Sequence, residues 1–222
     1  MMKYAIFAVS ILSFAHSYSW AADGAALVKQ HNCAACHAMK GPSAATVEAV
    51  LKRKAPDLFY AGSKFNREWL VGWLQSPTVI RPAGTVYVNH VEIKDGKDTL
   101  IPPAGCPVKL AAPEAAAVAD YLMTLKDPNM KSGVFTPAPV KAGKARLILT
   151  RDEACDACHR LPEKGGGVSC PTLEGAGARL NPDWMYSFIR DPHYWDPTAW
   201  MPKKTYDDER LRIMVNYLAA FR

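Results

Sequence analysis

The sequence predicts an all-α chain built as two tandem units, the first with a small β-hairpin insert. Three observations predict it. The pentad Cys33-Ala34-Ala35-Cys36-His37 returns as Cys155-Asp156-Ala157-Cys158-His159. Residues 66–77 return as residues 181–192, and in both copies the apolar positions fall on one helical face, at 69, 70, 73 and 74 in the first. Between the halves, residues 127–139 hold Pro128, Pro137 and Pro139 and show no helical period, which marks a semi-extended linker. The chain of 222 residues then divides into an export segment at 1–21, a first unit at 22–126, a linker at 127–141 and a second unit at 142–222.

Taken in chain order, Lys3 supplies a positive start and residues 4–14 an apolar run, too short to span a bilayer of about 30 Å as a helix. Ser19-Trp20-Ala21 offers a small-x-small cleavage pattern, so a cleavable signal peptide is expected, with a retained anchor as the alternative. No later stretch is apolar enough to cross a membrane, and the expected location is the periplasm. Helices over 25–32 and about 144–154 lead into the pentads. The repeated middle segments begin with Asn66 and Asn181, suited to capping, followed by Glu68 and Asp183, where the helix dipole favours acid. Both stop at a proline. Final helices are expected over 113–125, with Pro113 at the first position, and over about 207–221, where Asp207-Asp208 suit the N-terminal end. In the first unit alone, residues 86–93 followed by Lys94-Asp95-Gly96-Lys97 read as a β-hairpin with an Asp-Gly turn.

Composition narrows the function classes. The chain is 49% hydrophobic and 22% charged, which excludes a disordered or collagenous character. A net charge of +6 is too diffuse to point to nucleic acid. Six cysteines are too few for a disulfide-dense scaffold, and four of them lie in the pentads. Two thiols three positions apart on a short helical segment can add to the two vinyl groups of one haem, and the adjoining His is carried to the iron as proximal ligand. Zinc would need further Cys or His close by, and neither pentad has a second Cys-x-x-Cys near it. A redox dithiol does not require the trailing His. The expectation is two covalently bound haem c groups, held by Cys33 and Cys36 and by Cys155 and Cys158, with His37 and His159 on iron.

On the paired pentads, the Trp-containing middle segments, the Tyr121-Leu122 and Tyr217-Leu218 final helices and Met201-Pro202, the chain resembles a dihaem cytochrome c of two tandem class I domains. The resemblance implies that Pro56 and Pro171 offer backbone carbonyls to His37 and His159, fixing ring orientation and basicity. It also implies that Met201, in the loop 42 positions after His159, is the sixth ligand of the second iron. A neutral thioether favours ferrous iron and raises the potential. Met185 and Met214 fall on helical apolar faces and read as core.

The first unit departs from this pattern. Counted forward from the middle helix, Val86 stands where Met201 stands; counted backward from the final helix, Cys106-Pro107 does. Three readings stay open for the first iron: Cys106 as thiolate ligand, His90 as a second imidazole, or an open position. Cys106 could instead pair with Cys170 in a disulfide, and His90 could be an exposed hairpin residue.

The expected function is electron transfer between a donor and an acceptor protein, with no nucleic acid and no membrane span after cleavage. One alternative is a haem enzyme that oxidises a small sulfur compound at the first haem, similar to thiosulfate dehydrogenases; a peroxidase would require an open first iron. Another is a cytochrome subunit of a larger redox complex, for which exposed apolar surface is the sign.

Overall fold

In a computed structural model the described residues are 23–162 and 164–222; the expected signal peptide at 1–21 lies outside them. No helix among the described residues is long and apolar enough to cross a membrane.

The first half opens with α1 (Gly24–Gln30), capped by Asp23, whose carboxylate accepts from Ala25 N at 2.9 Å. It continues through α2 (Val47–Leu51), α3 (Ala61–Lys64) and α4 (Arg67–Gln75). The antiparallel pair β1 (Val91–Lys94) and β2 (Lys97–Leu100) then forms the insert, and α5 (Ala112–Thr124) closes this half. Leu27 and Val28 of α1, Leu70 and Leu74 of α4, and Ala115, Val118, Ala119 and Leu122 of α5 form one buried cluster. The helices approach closely because small residues lie where they cross. A Cβ at Gly24 would stand 2.0 Å from the Ala117 carbonyl oxygen.

The second half begins with α6 (Ala142–Leu147), which runs into a π turn over Ile148–Asp152. The two-residue strands β3 (Arg160–Leu161) and β4 (Gly165–Gly166) follow the second pentad. Next come α7 (Ala176–Arg179), α8 (Pro182–Arg190), α9 (Pro192–Trp195) and α10 (Asp208–Ala219). Ile148, Leu149, Trp184, Met185, Trp195, Leu211, Met214, Val215 and Leu218 belong to a second buried cluster. Each large apolar side chain buried there contributes about 2 kcal/mol. Met185 and Met214 are core, as their helical positions imply.

Three details differ from the sequence expectation. Residues 87–90 form a 3-10 turn, not strand, so the hairpin starts at Val91 and His90 precedes it. The turn itself is as expected: Asp95 and Gly96 both have positive φ, 51° and 71°, the geometry of a tight two-residue hairpin. The leading helix of the second half ends at Leu147, earlier than 154, because the π turn and a left-handed Ala154 (φ 51°) intervene. Finally, Asn181 caps α8 by accepting from Asp183 N at 2.9 Å, but Asn66 does not cap α4. Its amide donates instead to the carbonyls of Ala178 (2.9 Å) and Leu180 (3.1 Å) in the other half.

That last difference reflects how the halves meet. Phe65 and Leu180, which are equivalent in the repeat, form an antiparallel bridge. Asn66 N donates to Arg179 O and Asn181 N to Lys64 O, both at 2.9 Å. Equivalent segments therefore face each other across a pseudo-twofold seam.

The linker is extended and pinned. Gly133 N and Phe135 N each donate to the Asp183 carboxylate at 2.7 Å, and Ala138 N donates to Asn216 Oδ1 at 2.7 Å. Asp183 was expected to serve the helix dipole; it also holds the linker. Hydrogen bonds to a charged acceptor contribute about 1.5–3 kcal/mol each. Asp183→Ala is therefore expected to raise proteolytic cleavage within residues 131–138 at least about tenfold at low protease. An unchanged cleavage rate would show that these two bonds do not restrain the linker.

Candidate haem sites

The two pentads fold alike. Each follows a residue in the left-handed region, Asn32 (φ 50°) or Ala154 (φ 51°). Asn tolerates this conformation; Ala adopts it at a cost of about 1–2 kcal/mol. Nothing in the sequence marks Ala154 for such a turn. A single 3-10 turn comes next, over Cys33–Ala35 and over Cys155–Ala157. In each, the first cysteine carbonyl accepts from the histidine N, at 3.0 Å for His37 and 2.9 Å for His159. Both cysteines and the histidine are thus gathered on one compact turn.

Each histidine is oriented from behind. His37 Nδ1 donates to Pro56 O at 2.8 Å, and His159 Nδ1 donates to Pro171 O at 2.7 Å. A proton on Nδ1 leaves the Nε2 lone pair free for a metal, which is the second-shell arrangement of a ligating imidazole. Burial lowers both histidine pKa values, favouring the neutral ring that binds metal. Beyond burial the surroundings diverge. Asp57 opposes the shift at His37, whereas Arg81 and Arg179 reinforce it at His159.

The residues fit a haem group on a further observation. Buried donors lack acceptors: Trp184 Nε1 and Arg81 Nε have no partner among the described residues, and neither has the ring nitrogen His31 Nε2. Arg179 is 4% exposed, and among the described residues its guanidinium meets carbonyls only, Thr172 O at 2.7 Å and Glu174 O at 3.4 Å. Buried N–H groups and cations without carboxylates suit a ligand that brings its own carboxylates, as haem does with its propionates.

All six cysteines are free thiols. Burial raises the Cys33 thiol pKa and neighbouring Cys106 raises it further, so Cys106 lies at the first pentad. Cys170 lies beside Cys158, its N donating to Cys158 O at 3.1 Å, and beside Arg81. The two spare cysteines thus belong to different sites, and the Cys106–Cys170 disulfide is not formed. Burial pushes the Cys155 thiol up to about 11, with Glu153 adding to the shift.

Met201 is half-buried in the segment between α9 and α10. That segment is tied to the approach to the second pentad, because Lys204 Nζ reaches Glu153 Oε2 at 2.9 Å and Arg210 also pairs with Glu153. His90 contacts Ile101 O through Nδ1 at 3.3 Å and packs on Gly84, where a Cβ would stand 2.3 Å from its ring. Val86, at the position equivalent to Met201 by the forward count, is buried.

Residues 21–126 match the family model described as Cytochrome c. This match over the first half supports an electron-transfer haem protein with covalently bound haem c. No curated protein matches the chain.

Proposed function

We propose that the chain is a periplasmic dihaem c-type cytochrome that relays electrons between a donor and an acceptor protein. The second half, residues 142–222, is read as a second class I cytochrome c domain joined to the first by the linker at 127–141. The single observation that carries this reading is the duplicated turn in which each pentad histidine donates through Nδ1 to a proline carbonyl. When bound, haem supplies a one-electron couple. The cysteines would hold it, the His–Pro hydrogen bonds would orient the ligand, and the seam joins the two halves by backbone hydrogen bonds. The second iron is read as His159/Met201 and the first as His37 with a different sixth ligand.

The ferric protein is expected to show a methionine–iron charge-transfer band in the near infrared, worth one haem of the two. Met201→Ala should abolish it and leave the haem content unchanged. A band of twice that intensity, or one that survives Met201→Ala, would overturn the ligand assignment.

A second reading has its own support. Cys106 is close enough to Cys33 to help raise its thiol pKa, and a thiolate ligand supplied from this position would give the His/Cys and His/Met pair of a sulfur-oxidising haem enzyme. Cys106→Ser should then change the spectrum of the first haem alone, and turnover of thiosulfate or sulfite with an artificial acceptor would favour the enzyme. Docking on a larger redox complex is supported by apolar side chains left at the surface, Ile93 at 77% and Val88 at 62% exposure on the insert and Trp200 at 74% beside Met201.

A further inference from the structure

The two halves exchange the segment that follows their middle helix. Residues 80–83 of the first half lie against the second proximal loop: Thr172 N donates to Ile80 O at 2.9 Å and Ala83 N to Val168 O at 3.2 Å. Thr172 adjoins Pro171, the carbonyl that orients His159. In the opposite direction, residues 195–196 lie against the first proximal loop. The Ser43 hydroxyl is 3.0 Å from Trp195 O and 3.0 Å from Asp57 Oδ2, and Asp57 adjoins Pro56. Each half thus completes the back wall of the other's histidine.

The exchanged segments are equivalent in the repeat but carry opposite charge. Ile80-Arg81 corresponds to Trp195-Asp196. At the first site, Asp196 and the buried Asp57 flank one base, Arg53, at 2.8 and 3.3 Å. At the second site, Arg81 has no ion pair among the described residues; Nη1 donates to Thr85 O at 3.3 Å, the guanidinium meets the Cys170 thiol and feels Asp196 at longer range, and Nε has no partner. Arg179 faces the same histidine, and Lys64 of the first half reaches across the seam, its Nζ 5.0 Å from the centre of the Trp184 ring.

We propose that Arg81, supplied by the first half, is a potential-setting residue for the iron of the second half, and that Asp196 acts with opposite sign on the first. The proposal rests on the dihaem reading. A half-buried cation such as Arg81 beside the proximal ligand opposes the extra positive charge of ferric iron and favours the ferrous state. Two equivalent positions with opposite charges, each delivered to the other half, separate the two couples and give the relay a direction. Arg81 acts through the field at His159 and touches no reacting atom.

The test is a potentiometric titration of the purified holoprotein, following each haem by its own spectrum. Arg81→Gln should shift the second couple, the one with the methionine band, about tenfold toward the oxidised form at fixed potential, or about 59 mV for one electron. Arg81→Lys, which keeps the charge, should shift it by less than a third of that. Asp196→Asn should move the first couple toward the reduced form, and it serves as the independent variant if Arg81→Gln yields no holoprotein. Couples that stay put, or that move together by equal amounts, overturn the proposal while leaving the dihaem reading intact. A wild-type chain with no haem on the second pentad overturns both.

Discussion

Replacing Cys155 and Cys158 together with serine is expected to halve the haem recovered per chain, and replacing Cys33 and Cys36 should do the same. Thioether attachment needs the thiols, and the two turns are separate, so each pair acts on one group. The residual spectra should differ. Loss of the second pair removes the near-infrared methionine band, and loss of the first leaves it. Covalent haem measured on denatured protein makes the result independent of whether each variant folds. Haem content unchanged by either double substitution would refute attachment at that pentad.

The second large effect is on stability. Gly62 and Gly177 are equivalent in the repeat, and each abuts the end of its own half's final helix. A Cβ at Gly62 would stand 2.2 Å from Met123 O, and one at Gly177 would stand 2.1 Å from Ala219 O. These are backbone atoms that cannot swing aside. The same glycines donate N–H to Leu125 O and Phe221 O, both at 2.8 Å, so the contact is bonded as well as close. Gly62→Ala or Gly177→Ala is expected to cost about 3 kcal/mol or more, a large share of a typical stability of about 5–15 kcal/mol. Chemical denaturation of the holoprotein measures it. Gly143→Ala is the control, because a Cβ there meets nothing within 4 Å. Equal effects at positions 177 and 143 would show that helix packing does not set the requirement.

The local elements were legible because their signals are local. Pro113 and Asp207 mark the starts of α5 and α10, and Asp207 does cap, accepting from Arg210 N at 2.7 Å. Asp95-Gly96 produced the expected turn because positive φ at both positions is a property of those two residues. Asn66 could not be read correctly, because its capping side chain found three carbonyls of the other half, a choice that no window around residue 66 contains. The same holds for His90. The strand pattern extended back to it, but Gly84 and Ile101 fold residues 87–90 into a turn.

The sequence by itself determined the two pentads and the chemistry proposed for them, since thiol spacing and an adjoining imidazole are matters of five consecutive residues. It determined the repeat as well, since equivalent prolines, tryptophans and asparagines recur in order. Only the tertiary structure decided the charges that face each histidine. Arg81 lies far along the chain from His159, as Asp196 does from its partner Arg53, and electrostatic interaction depends on distance in space, which the seam between the halves sets.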